Sequence, residues 1–132
     1  MQVEALDHLV LNVRDVDVTL AWYERVLGMI RRETHIEGQP SRMSLHFGDQ
    51  KINVRPLSAD KHDWFTAENA VTGSADLCFL TETGPERVVE HLHLCKVPIE
   101  IGPIDRQGAR GRLRSVYCRD PDGSLIEISS YR

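Results

Sequence analysis

The sequence predicts an α+β fold in which two βαββ modules build a cupped, eight-stranded mixed sheet. Three observations predict it. Arg119-Asp120-Pro121-Asp122-Gly123-Ser124 is turn chemistry, and the Ile-rich run 125–129 that follows has Glu127 on the face opposite Ile126 and Ile128. Residues 45–54 repeat that outline, with Asn53 falling where Glu127 falls. Residues 6–12 likewise resemble 74–80, with His8 over Asp76, so one unit recurs about 70 residues later.

Each element has its own local signal. Alternation over 6–13 makes a strand with Leu9, Leu11 and Val13 on one face and His8, Val10 and Asn12 on the other. Asp15 and Asp17 are N-cap candidates for a helix to Leu27, with Val16, Leu20, Tyr23 and Leu27 as its apolar stripe and Gly28 as its stop. A strand over 29–33, a turn or loop over 35–41 and a hairpin of 43–47 with 51–55 complete module 1, about residues 1–56. Residues 57–73 read as an irregular connection pinned by Trp64 and Phe65 that has room for a short helix.

Module 2 covers about 74–132, and both modules belong to one domain. After its first strand, Gly84-Pro85 opens a helix with stripe Val88, Val89, Leu92 and Cys95. A strand over 98–102, a glycine- and arginine-bearing flexible loop over 103–113, and a closing hairpin of 114–119 with 125–129 follow. In each module the four strands are expected to curl into a half-barrel whose concave face bears the polar residues.

Composition excludes several classes. The 132 residues are 41% hydrophobic and 27% charged with a net charge of −4, which argues against a nucleic-acid or membrane-surface partner. No apolar run approaches the ~20 residues of a membrane span, and no secretory signal pattern is present, so a cytoplasmic location is expected. Cys78, Cys95 and Cys118 form no Cys-x-x-Cys pair and are expected as buried, reduced thiols.

Three segments together resemble the vicinal oxygen chelate superfamily, which includes glyoxalase I, extradiol dioxygenases and the fosfomycin- and bleomycin-resistance proteins. They are Leu6-Asp7-His8-Leu9-Val10-Leu11, Trp22-Tyr23-Glu24-Arg25-Val26-Leu27-Gly28-Met29, and Tyr117-Cys118-Arg119-Asp120-Pro121-Asp122-Gly123-Ser124-Leu125-Ile126-Glu127. The likeness is greatest to the small stand-alone glyoxalase-domain branch. It implies a divalent metal whose coordination is completed by two adjacent oxygens of a small-molecule substrate. His8 and Glu127 match the usual ligands, Asp76 stands where most metal-binding members have His, and Asn53 stands where glyoxalase I has Glu. One imidazole with two carboxylates suits manganese, iron(II), nickel or magnesium, with zinc also possible.

The resemblance further implies lyase or isomerase chemistry through an enediolate, with Glu127 or Asp76 moving the proton. Asn53, Arg55 and Tyr117 are the expected substrate contacts, joined by Arg110 and Arg112 from the basic loop, because arginine grips anions bidentately. A homodimer is implied, with His8 able to come from one copy and Asp76 and Glu127 from the other. Two rivals remain at this point: an iron-dependent extradiol-type dioxygenase, and a metal-free dimeric binding protein of bleomycin-resistance type.

Overall fold

The computed structural model describes residues 1–132. The elements run β1 (His8–Val13), α1 (Val16–Leu27), β2 (Ile30–Thr34), β3 (Arg42–Phe47), β4 (Gln50–Pro56), β5 (Asp76–Leu80), α2 (Pro85–Leu94), β6 (Ile101–Gly108), β7 (Gly111–Arg119) and β8 (Leu125–Tyr131). This is βαββ twice, as expected. The eight strands divide into two four-stranded mixed sheets, ordered β1-β4-β3-β2 and β5-β8-β7-β6. The chain divides into two compact units, Met1–Thr72 and Gly73–Arg132.

In the first unit β1 pairs parallel with β4, and β4 antiparallel with β3, which pairs in turn with β2. Leu11, Val13, Leu45, Ile52 and Val54 are buried on the face that α1 covers, where Leu20, Tyr23 and Val26 meet them. The helix begins where Asp15 accepts the Val18 N–H at 3.0 Å. It ends where Gly28 turns left-handed at φ 67°, so that the Gly28 and Met29 N–H groups cap the carbonyls of Glu24 and Tyr23.

The connection after β4 holds no helix but is fastened by Arg55. That side chain is 1% exposed; it donates to Asn12 Oδ1 at 2.8 Å and to the carbonyls of Ala59 at 2.7 Å and Trp64 at 3.2 Å. Trp64 is buried under Arg42, whose guanidinium lies 4.4 Å from the ring centroid. Phe65, expected to help pin the segment, is exposed instead.

In the second unit β5 pairs parallel with β8, β8 antiparallel with β7, and β7 antiparallel with β6. Val116, Cys118, Ile126 and Ile128 are buried on the face that receives Val88 and Leu92 of α2. The Asp-Pro-Asp-Gly turn is rigid for a definable reason. Buried Asp120 accepts the N–H groups of Asp122 at 2.9 Å and Ser124 at 3.0 Å through one oxygen. Ser124 Oγ accepts the Ala75 N–H, and the Leu125 N–H bonds the Ala75 carbonyl, which fixes the start of β5 beside the start of β8.

Two expectations change here. The flexible loop over 103–113 is the β6–β7 hairpin, because Arg106 pairs with Leu113 and Gln107 with Arg112 in an antiparallel ladder. Of the three cysteines only Cys118 is fully buried, and burial pushes its thiol up to about 11. Cys95 is half-buried and Cys78 is exposed. No helix is long and apolar enough to cross a membrane.

Candidate functional site

Strand alternation in the second unit sends Ser115, Tyr117 and Arg119 of β7 and Leu125, Glu127 and Ser129 of β8 to the face away from α2. Register sets Tyr117 and Cys78 on either side of Glu127, and Asp76 beside Leu125. A cavity of about 320 Å³ opens there, lined by Asp76, Glu100, Arg106, Tyr117, Arg119 and Glu127 among others. Asp76, Tyr117 and Glu127 thus line one cavity within one unit.

Glu127 is held from below. Its Oε1 accepts the Ser115 hydroxyl at 2.7 Å and the Ser129 hydroxyl at 3.2 Å, and the two buried hydroxyls lie 2.7 Å from each other. Two donors on one carboxylate oxygen fix the rotamer of a side chain in the middle of a strand. Asp76 has no comparable anchor and sits exposed at the start of β5.

Tyr117 accepts a hydrogen bond from Arg106 Nε at 3.0 Å, with that guanidinium 5.4 Å from the ring centroid. Burial pushes the phenol above its ordinary value and Glu127 adds to the shift, against the opposing pull of Arg106. Arg119 pairs with Glu100 at 3.2 Å and donates to the Gly123 carbonyl. The Cys78 thiol contacts Ser129 Oγ at 3.4 Å; the residue is exposed overall, but partial desolvation of its sulfur raises the pKa against the lowering pull of Ser129, with the nearby carboxylates adding to the rise, so the protonated form prevails at neutral pH.

His8 lies in the first unit at the start of β1. Its Nδ1 is 2.7 Å from Asp7 Oδ2, and the bond holds the Asp7 carboxyl below its ordinary value with help from Lys51. A carboxylate on one ring nitrogen is the usual outer partner of an imidazole that ligates through the other. Asn53 occupies the middle of β4, between Val10 of β1 and Ser44 of β3.

The arginines are redistributed relative to expectation. Arg55 is the buried clamp described above, so its guanidinium is withdrawn from substrate contact. Arg112 bonds Asp105 at 3.3 Å, and alternation along β7 puts it on the face opposite Tyr117. Arg110 lies over the Tyr131 ring at 4.4 Å beside a separate depression of about 490 Å³ that Leu80 and Glu82 also line. Arg106 takes the place expected for them. It was hidden because 103–113 read as a loop, whereas Ser115 and Ser129 stand two residues from Tyr117 and Glu127, a period-2 signal in plain view.

No group of three or more His, Cys, Asp or Glu side chains that could hold a metal forms within the chain. The donors present nevertheless fit a divalent ion in kind. Three carboxylates line one cavity, of which Glu100 is paired with Arg119 and Glu127 is already oriented by hydroxyls, and a carboxylate-oriented imidazole stands on β1.

A family model described as the Glyoxalase/Bleomycin resistance protein/Dioxygenase superfamily matches residues 5–128. The Virulence protein STM3117 of Salmonella typhimurium is 41% identical over 131 residues, covering 99% of this chain and 87% of that protein, and its crystal structure superposes with a TM-score of 0.89. An integron cassette protein from the mobile metagenome of V. cholerae is 43% identical, covering 100% of this chain and 98% of its own, with a TM-score of 0.89. A lactoylglutathione lyase from Agrobacterium tumefaciens shares the fold at a TM-score of 0.72 and 23% identity, over 98% and 96% of the two chains.

Proposed function

Because the chain belongs to the glyoxalase/bleomycin resistance/dioxygenase superfamily, we propose that it is a metal-dependent enzyme of glyoxalase type. Its substrate is a small anionic molecule that presents two adjacent oxygens. The observation that carries this reading is Glu127, fixed by two buried serine hydroxyls inside a cavity it shares with Asp76, Tyr117 and Arg106.

Glu127 and Asp76 would hold the metal together with His8, the imidazole coming from a second copy of the chain. When bound, such an ion supplies Lewis-acid polarisation of the substrate's vicinal oxygens. The remaining work belongs to the side chains. Glu127 keeps one orientation because both hydroxyls donate to Oε1. Asp76, free of such an anchor, takes a proton from the carbon next to a carbonyl and returns it to the neighbouring carbon. The Tyr117 phenol, kept protonated by burial, donates to a substrate oxygen, and Arg106 and Arg119 bring positive charge to an anionic group.

Metal analysis of the purified protein, loaded in turn with manganese, nickel, zinc and iron(II), tests the proposal. One ion per Glu127 carboxylate is expected, with loss in Glu127→Gln at unchanged fold. Wild-type protein that retains no ion under any loading overturns it. Iron-dependent oxygen uptake on a catechol would transfer the same site to ring-cleaving dioxygenation.

A further inference from the structure

In the first unit, the sheet face turned away from α1 carries basic groups that neither the fold nor the proposed ligands require. The orientation is fixed by Arg31, which reaches Glu24 of α1 on the other face at 2.7 Å. Register sets His46, Lys51 and His8 side by side across β3, β4 and β1, with Arg32, Ser44 and Asn53 in the adjoining row. Directly opposed side chains in such rows have Cβ atoms about 5 Å apart. Alternation leaves no Asp or Glu on this face of any of the four strands.

Two of its cations are occupied. Arg55 is the buried clamp, and Arg42 donates to Gln39 and the Asp63 carbonyl while lying over Trp64. Arg32 and Lys51 have no hydrogen-bonded or ion-paired partner. Asp7, at the rim, is bonded to His8 and feels Lys51 through space. Burial, then the charges of Arg32 and Lys51, push the His46 imidazole below its ordinary value, so those two cations act at the same point in space. Ser44 Oγ meets His46 Nε2 at 3.0 Å and fixes the ring.

We infer that Arg32, His46 and Lys51 form an anion subsite that takes a carboxylate or phosphate group of a small molecule. Two unpaired cations and an oriented imidazole on a face without carboxylates supply both charge and directed donors for such a group. The subsite rests on and extends the reading above, because Lys51 stands beside the proposed ligand His8 and the anion it takes would be a group of the same substrate.

The test uses metal-free wild-type protein, so its failure is distinguishable from failure of the metal site. Inorganic phosphate and malonate are titrated separately at constant ionic strength while the His46 imidazole signals are followed by NMR. Saturable displacement is expected with at least one of them, and the tighter-binding anion identifies the group as phosphate or carboxylate. The double variant Arg32→Gln/Lys51→Gln should weaken binding at least about tenfold at preserved amide spectrum, whereas Arg112→Gln on the other unit should not. Linear drift equal to that in chloride, binding unchanged in the double variant, or saturation at Tyr117 and Arg119 in place of His46 each overturns the inference.

Discussion

Ser115 and Ser129 show how a single carboxylate comes to be useful. A glutamate on a strand has three rotatable bonds, and each hydroxyl that donates to its Oε1 removes part of that freedom before any ligand arrives. Ser115 is fully buried, so Ser115→Ala removes a hydrogen bond to a charged acceptor and should cost about 1.5–3 kcal/mol in urea denaturation. If Glu127 is a ligand, the same change should weaken metal binding about 10–100-fold, as loss of an outer-sphere partner does. A variant that loses stability but binds metal as tightly as wild type would deny Glu127 that role.

Asp105 gives a pH test at the same scale. The hydrogen bond from Arg114, then the charges of Arg114, Arg132 and Arg112, hold its carboxyl below the ordinary 3.8. A carboxyl depressed by folding contributes stability that is present above the unfolded value and lost as pH falls through the folded one. Asp105→Asn should therefore lower the melting temperature at pH 7, with the gap to wild type closing as pH drops below 3.8. A gap that persists at pH 2 would assign the effect to something other than ionisation. Of the proposed site residues, His8 and Asp76 stand out in the sequence because the repeat sets one over the other, and Glu127 because it interrupts an apolar strand. Ser115 and Ser129 stand at period-2 spacing from Tyr117 and Glu127 and were within reach of the same reading, whereas Arg106 was not, because a guanidinium in a stretch without apolar alternation has no periodic signature until its strand is known.

The elements divide the same way. β8 was legible because Ile126 and Ile128 alternate with Glu127, and the structure buries both isoleucines against α2. Ile126→Ala, at 0% exposure, should destabilise by about 2–5 kcal/mol, read from the chemical denaturation midpoint, and a change below 1 kcal/mol would contradict its place in the core. The β6–β7 hairpin was illegible because Pro103, Gly108 and Gly111 punctuate a polar stretch, and a hairpin closed by cross-strand pairs with a charged outer face leaves no apolar alternation to read. The start of β5 depends on close approach in the same way. A Cβ on Gly73, which sits at φ 72°, would collide with the Asp122 carbonyl. Gly73→Ala should thus loosen the contact that sets Asp76 beside Leu125, seen as faster amide exchange at Ala75 and Leu125 than in wild type.

At the scale of the whole molecule, the duplication gives each unit a polar surface of different character: three carboxylates, a phenol and two partnered arginines around a cavity in one, two unpaired cations and imidazoles on a sheet face in the other. The proposed ligand set takes His8 from the first kind of unit and Asp76 with Glu127 from the second, on different copies of the chain. That assembly makes a quantitative prediction. His8→Ala and Glu127→Gln should each abolish stoichiometric metal binding as separate proteins. Unfolded together and refolded as an equal mixture, they should regain about a quarter of the wild-type sites, because half of randomly formed dimers are mixed and each mixed dimer has one site free of both changes. The stoichiometry is read by metal analysis of the refolded dimer fraction. Mixed protein that binds no more than the separate variants would mean that one copy supplies all three donors or that the set is wrong, and wild-type protein that stays monomeric at every concentration would remove the shared site altogether.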